Sequence, residues 1–124
     1  MLQHLDIEIQ ARENYRVLRL GGDVDIFTCA ELKDAFHQHG PGESATLMVD
    51  LERVRYIDSM GLGTLLAAVT GARHRHGCLL FICHQPHLLK LFTVTGLHRV
   101  IDIFPTEEEA CKELGRRPLP VSRS

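Results

Sequence analysis

A carboxylate and a hydroxyl stand side by side at Asp58-Ser59, directly ahead of Met60-Gly61-Leu62-Gly63-Thr64-Leu65-Leu66. Leu62, Leu65, Leu66 and Val69 recur at i, i+3, i+4 and i+7, so the spacing predicts an amphipathic helix from Gly61 to about Arg73. Asp58 and Ser59 fall at its N-cap, where the next backbone N–H groups have no intrahelical acceptor. Gly61 and Gly63 leave the first turn bare, which lets another surface approach closely. A phosphate on Ser59 would meet those N–H groups and the positive end of the helix dipole. On these features alone an ordinary cap is the better explanation of the serine. The glycines are no nucleotide-binding loop, because GxxxxGK[ST] and its lysine are missing.

Two other groupings could do chemistry. His74-Arg-His76-Gly-Cys78 and Cys83-His84-Gln-Pro-His87 bring four His and two Cys together, a set suited on paper to a transition metal. Cys78 and Cys83 lie five apart on one expected strand and so face opposite ways, which argues against a shared ion. A solvated His/Arg patch at a helix C-terminus accounts for the first half. Asp23 and Asp25 form a carboxylate pair before a helix, and a solvated acidic turn explains them better than acid–base catalysis. No cysteine stands at a strand-to-helix elbow, so a Cys–His hydrolase is not supported.

The elements that must position these residues are short. Leu5 to Gln10 alternates as a half-buried strand, Glu13-Asn14 is a turn, and Tyr15 to Leu20 is a second strand ended by Gly21-Gly22. Thr28 with Glu31 makes a capping box for a helix carrying Leu32, Ala35 and Phe36, stopped by Gly40-Pro41-Gly42. Thr46–Leu51 and Cys78–Cys83 read as strands covered on both faces. Gly77 ends the helix between them. Pro86 opens a helix with Leu88, Leu89 and Phe92 that Gly96 caps. Arg99–Phe104 is a last strand, and Thr106 with Glu109 caps a last helix closed by Gly115. The order β-β-α-β-α-β-α-β-α predicts one small α/β domain: a mixed, mainly parallel sheet with an N-terminal antiparallel hairpin and about four short helices. Binding sites in such folds favour loops at the strand C-terminal ends, where Asp58 falls.

Three segments share a resemblance. Asp58-Ser59-Met60-Gly61-Leu62-Gly63 resembles the D-S-x-G-L-G segment of STAS domains, specifically bacterial anti-sigma factor antagonists. Gly22-Asp23-Val24-Asp25-Ile26-Phe27-Thr28-Cys29-Ala30-Glu31-Leu32 resembles the family's G-[ED]-[LV]-D-x-x-T-x-x-x-L, and Leu89 to Leu97 its helix ending in Gly-Leu. In order and correctly spaced, they cover about residues 5–115. The resemblance implies a non-enzymatic partner switch. The unphosphorylated chain binds an anti-sigma factor that is often also its serine kinase; phosphorylation blocks binding, and a PPM-type phosphatase reverses it. Ser59 would be the acceptor. Asp23, Asp25, Asp58, Met60, Gly61, Leu62 and Gly63 would form the partner surface with it. Met60 stands where many members carry a second hydroxyl. A non-switching scaffold or small-ligand module, and a metal-binding protein using residues 74–87, are the competing readings.

Composition fits this frame. The 124 residues suggest one domain, here residues 5–115 followed by an Arg- and Pro-containing tail, 116–124, expected to be flexible. With 14 Lys and Arg against 16 Asp and Glu, the net charge of −2 gives no warrant for nucleic-acid binding. Two Tyr, five Phe and no Trp offer few stacking platforms. No leader or membrane span is apparent, and the four cysteines contain no CxxC pair, so a cytoplasmic protein without cofactor or metal is expected. Setting aside the three tail arginines leaves 11 basic groups against 16 acidic, an acidic body. With Asp23, Asp25 and Asp58 around the site, that body is expected to steer toward a basic partner.

Overall fold

The structure, a computed structural model, describes residues 4–42 and 45–116. Five strands form one mixed sheet in chain order: β1 (Asp6–Ala11), β2 (Arg16–Val24), β3 (Thr46–Ile57), β4 (Cys78–Ile82) and β5 (Asp102–Phe104). β1 pairs antiparallel with β2, and every later pair is parallel. The expected hairpin and parallel sheet are both present. Because the crossovers all advance in one direction, a single hand for each puts their helices on one face. α1 (Cys29–His39), α2 (Ser59–His74) and α3 (Pro86–Val94) bury Leu32, Ala35, Leu65, Val69, Leu88 and Phe92 there, against Leu18, Leu20, Val49, Leu51 and Phe81. The other face is covered by α4 (Glu107–Arg116), whose Ala110 packs on Val17, Met48, Leu80 and Ile82. Cys83 belongs to the first core and Cys78 packs against the second, as their spacing requires.

The departures from expectation concentrate where β2 and β3 run toward the site. β2 does not stop at Gly21-Gly22. Register shifts between Arg19 and Gly21 and between Gly22 and Asp23, with Gly22 at φ +107°, absorb the glycines as bulges, and Asp23 and Val24 still pair with Tyr56 and Ile57. β3 runs six residues past Leu51, although β4 pairs with it only as far as Asp50. Beyond that point side chains replace the missing neighbour. The Gln85 amide nitrogen lies 2.6 Å from the Leu51 carbonyl and 3.0 Å from those of Glu52 and Val54, and His87 Nε2 lies 2.8 Å from that of Arg55.

Smaller differences have local causes. Arg99–Ile101 is not strand: Leu97–Arg99 forms a 3₁₀ turn after Gly96, which sits at φ +78°, and β5 begins at Asp102. α2 ends at His74, and beyond it His76, not Gly77, takes the left-handed conformation at φ +57°. Gly77 is required instead by close approach, since a Cβ there would meet Pro41 Cβ at 3.0 Å. α4 continues through Gly115 to Arg116, and the expected tail beyond it lies outside the described residues. No helix among the described residues is long and apolar enough to cross a membrane.

Candidate functional site

The segment from Tyr56 to Gly63 is hardly a loop. Tyr56 and Ile57 end β3, Ser59 begins α2, and Asp58 alone connects them. Asp58 is the N-cap, with extended backbone at φ −95°, ψ −176°. Its Oδ1 accepts from Gly61 N at 2.8 Å, and its Oδ2 accepts from Ile26 N at 3.1 Å. The Asp58 N–H donates to Val24 O at 3.1 Å. One carboxylate therefore fixes both the start of α2 and the neighbouring β2–α1 turn. Gly61 makes that proximity possible: a Cβ on it would stand 2.4 Å from Val24 O and 2.8 Å from Val24 Cγ1. A Cβ on Gly63 would meet nothing within 4 Å. The two glycines thus serve different ends, one packing inward and one leaving the exposed surface low.

The β2–α1 turn holds itself by its own carboxylate. Asp25, only 8% exposed, accepts at Oδ1 from Phe27 N at 2.9 Å and Thr28 N at 3.2 Å. Thr28 does not form the expected capping box with Glu31. Its hydroxyl donates to Asp23 O at 2.7 Å and accepts from Asp25 N at 3.0 Å, tying the turn back to β2. The Asp25 carboxylate closes the turn just ahead of α1, and its backbone carbonyl accepts from the first helical N–H, that of Cys29, at 2.8 Å. Asp23 lies 3.5 Å from Arg55 Nε.

All three expected acidic residues therefore have partners within the chain, and the turn is not the solvated acidic surface that composition suggests. Apolar side chains face outward there instead: Phe27 is 72% exposed, Ile26 58%, Tyr56 54% and Met60 45%. Ile26 and Phe27 sit on the turn that Asp58 and Asp25 fasten, and Tyr56 and Met60 flank Ile57-Asp58-Ser59. Of these only Met60 belongs to the expected surface. An apolar pair between Asp25 and Thr28, ahead of the next helix, is the signal by which Ile26 and Phe27 could have been singled out. Ser59 is exposed at the first helical position, and its hydroxyl has no protein partner among the described residues. It and Met60 are the first two residues of α2, whose N–H groups have no intrahelical acceptor.

The His/Cys segment is dispersed. Cys83 is buried in the core near the Gln85 side chain, and burial pushes its thiol above the usual range, which disfavours the thiolate a nucleophile or metal ligand needs. His84 lies beside Glu52 and His87 against Arg55 O, while His74 and His76 are at the far end of α2. Among the described residues no group of three or more His, Cys, Asp or Glu side chains is arranged to hold a metal.

Known proteins share this architecture. The family described as "Mlab, STAS domain" matches residues 7–104. An anti-sigma-B factor antagonist of Listeria monocytogenes is 32% identical over 107 residues, spanning 86% of this chain and 94% of that protein. The solved structure of an anti-sigma factor antagonist from Mycobacterium paratuberculosis superposes with a TM-score of 0.77 at 21% identity, over 90% of this chain and 95% of that one. The Bacillus cell fate determinant SpoIIAA, solved in its phosphorylated form, superposes with a TM-score of 0.59 at 24% identity, over 88% and 99% of the two chains. With the strand order, the helical layers and the family match in agreement, the chain belongs to the STAS domain family.

Proposed function

We propose that this chain is an anti-sigma factor antagonist, a cytoplasmic binding protein and not an enzyme, whose docking to an anti-sigma factor is switched off by phosphorylation of Ser59. The Listeria relative carries the antagonist role by name. The observation that carries the switch is an exposed hydroxyl at the first position of α2, without a partner among the described residues, beside the outward-facing Ile26, Phe27, Tyr56 and Met60. Aromatic and apolar side chains of this kind are the usual anchors of a protein interface. The partner surface comprises Met60, Leu62 and Gly63 with these residues, while Asp23, Asp25, Asp58 and Gly61 hold it in shape.

A phosphate on Ser59 adds about −1.5 to −2 charge. The helix N-terminus tolerates it, so the fold survives. Docking does not, because a dianion would have to be desolvated against an apolar patch, at an effective cost of several kcal/mol. About 5.5 kcal/mol converts a 99:1 equilibrium into 1:99, so one modification suffices without a large conformational change. The partner is an anti-sigma factor that doubles as a serine kinase, with a PPM-type phosphatase restoring the hydroxyl.

The test is binding to anti-sigma factors from the same genome by calorimetry, alongside intact-mass measurement of the chain from its native host. Ser59→Ala should bind as the parent does, Ser59→Asp should lose binding, and the native chain should carry a single phosphate. Equal binding by both variants would point to a non-switching scaffold.

A further inference from the structure

Along α2 from Thr64 to Arg75, a groove of about 600 Å³ runs between α1 and α2. Its floor is apolar, formed by Phe36, Ala67, Ala68 and Gly71, and its rim carries Lys33, His37 and Arg75. No carboxylate lines it among the described residues, although the body of the chain carries more acidic than basic groups. Neither Lys33 nor Arg75 is ion-paired among the described residues. Arg75 is also held in place. Its Nε donates to Pro41 O at 3.1 Å, and its guanidinium lies over Gly71, where a Cβ would stand 3.3 Å from Nη2. Among the described residues the remaining guanidinium N–H groups have no protein acceptor, and they lie beside an apolar trough.

We propose that this groove binds a medium-chain aliphatic carboxylate, its chain along the Phe36–Ala67–Ala68–Gly71 floor and its head group on Arg75 and Lys33. The volume lies within the range of small-molecule sites, which combine apolar walls with a few placed polar groups. From Thr64 to Gly71, over which the Arg75 guanidinium lies, the groove follows about 10 Å of helix, at roughly 1.5 Å per residue, comparable to a medium-length aliphatic chain. Arginine pairs with a carboxylate in two-pronged fashion, which gives the head group a defined end. The nearest lining residue, Thr64, lies about 7.5 Å of helical rise from Ser59, and no residue of the Ser59 surface lines the groove.

The test titrates ¹⁵N-labelled chain with decanoate, following amide shifts, with 1-decanol as the uncharged control. Saturable one-to-one binding is expected, with shifts confined to α1 and α2. The alcohol, Arg75→Gln and Lys33→Gln should each weaken binding by about tenfold, the loss expected for one charge-assisted contact. Ala67→Trp, at an exposed position, should fill the trough and abolish binding, whereas Ser59→Asp should leave it unchanged. Equal affinity for acid and alcohol would overturn the proposal, as would shifts mapping elsewhere. So would perturbation of the same amides by protein concentration alone, which would assign the groove to a second copy. An acidic amphipathic peptide that binds where decanoate does not would assign it to a partner helix.

Discussion

The turn around Ser59 and the corner where α4 meets the N-terminal hairpin use the same residue types to opposite effect. In the corner, charge joins one element to another. Arg12 Nε and the Tyr15 hydroxyl donate to Glu107 at 3.0 and 2.7 Å, Arg19 approaches the same carboxylate at 3.7 Å and Asp50 at 3.4 Å, and Cys111 Sγ lies 3.0 Å from the Tyr15 hydroxyl. Burial, followed by those hydrogen bonds, pushes the Tyr15 hydroxyl well above its usual range. In the turn, carboxylates bind backbone. Asp25 and Asp58 accept four N–H groups between them and leave apolar side chains outside. The difference shows how an acidic sequence can present an uncharged surface. Acids consumed by capping stiffen the turn without charging its exterior, and a phosphate would then be the dominant new charge there.

The largest effect should come from removing the space that holds the turn together. Gly61→Ala gains helix propensity but forces a Cβ into Val24 O, and overpacking against backbone outweighs that gain. A net destabilisation of about 2–3 kcal/mol is expected, seen as a melting temperature lower by roughly 10 °C. Next comes Asp58→Ala, which deletes the cap and releases Ile26 N, at a cost of about 1–2 kcal/mol in chemical denaturation. Asp58→Asn sharpens this. Its single carbonyl can keep Gly61 N while its NH₂ faces the Ile26 N–H, so its stability should fall between parent and Ala variant, and amide exchange should rise at Ile26 while Gly61 stays protected.

Periodicity made much of this legible. Leu62, Leu65 and Val69 marked α2, the capping residue Asp58 marked its start, and the expected pairing of a hairpin with parallel strands is the sheet observed. What stayed hidden was the choice among competing local bonds. Thr28 and Glu31 satisfy the pattern of a capping box, but once the turn closes the Thr28 hydroxyl is committed to Asp23 O and Asp25 N, which the pattern does not show. Gly21-Gly22 reads as a stop because bulges look like turns until a partner strand is present. The β3 extension was invisible for a related reason: its carbonyls are partnered by the side chains of Gln85 and His87, some thirty residues away. Thr106 was half right, its hydroxyl accepting from Glu109 N at 3.1 Å while the Glu109 carboxylate lies 3.2 Å from Lys112 Nζ.

A smaller effect separates the two regions by pH. Partial burial alone would raise the Glu107 carboxyl, but hydrogen bonds from Arg12 and Tyr15 and the charges of Arg12 and Arg19 outweigh it and hold the carboxyl below its usual value. The ionised form is thus favoured by folding. Its contribution is complete above the unfolded pKa, about 4.3, and is lost as pH falls through the lower folded value. Glu107→Gln should melt a few degrees lower at neutral pH, and the gap to the parent should narrow below about pH 4. Differential scanning between pH 3 and 7 checks this. The Ser59 surface should be indifferent to the substitution, so partner binding at neutral pH should not change.

The smallest effect on stability should be the most informative about the surface. Gly63 is exposed within α2, and a Cβ there meets nothing. Replacing glycine by alanine inside a helix removes backbone entropy from the unfolded chain, so Gly63→Ala should be slightly stabilising, by about 0.5–1 kcal/mol. If the only demand on position 63 were the fold, alanine would be the better residue. A surface that must admit a partner's backbone close to α2 reverses the preference, since one methyl at a tightly packed interface separates groups that were in contact. The variant should therefore melt higher and bind the anti-sigma factor more weakly. A higher melting temperature with unchanged affinity would move the interface off this turn of α2, toward Ile26 and Phe27, and leave Gly61 as the one glycine of the pair with a structural reason.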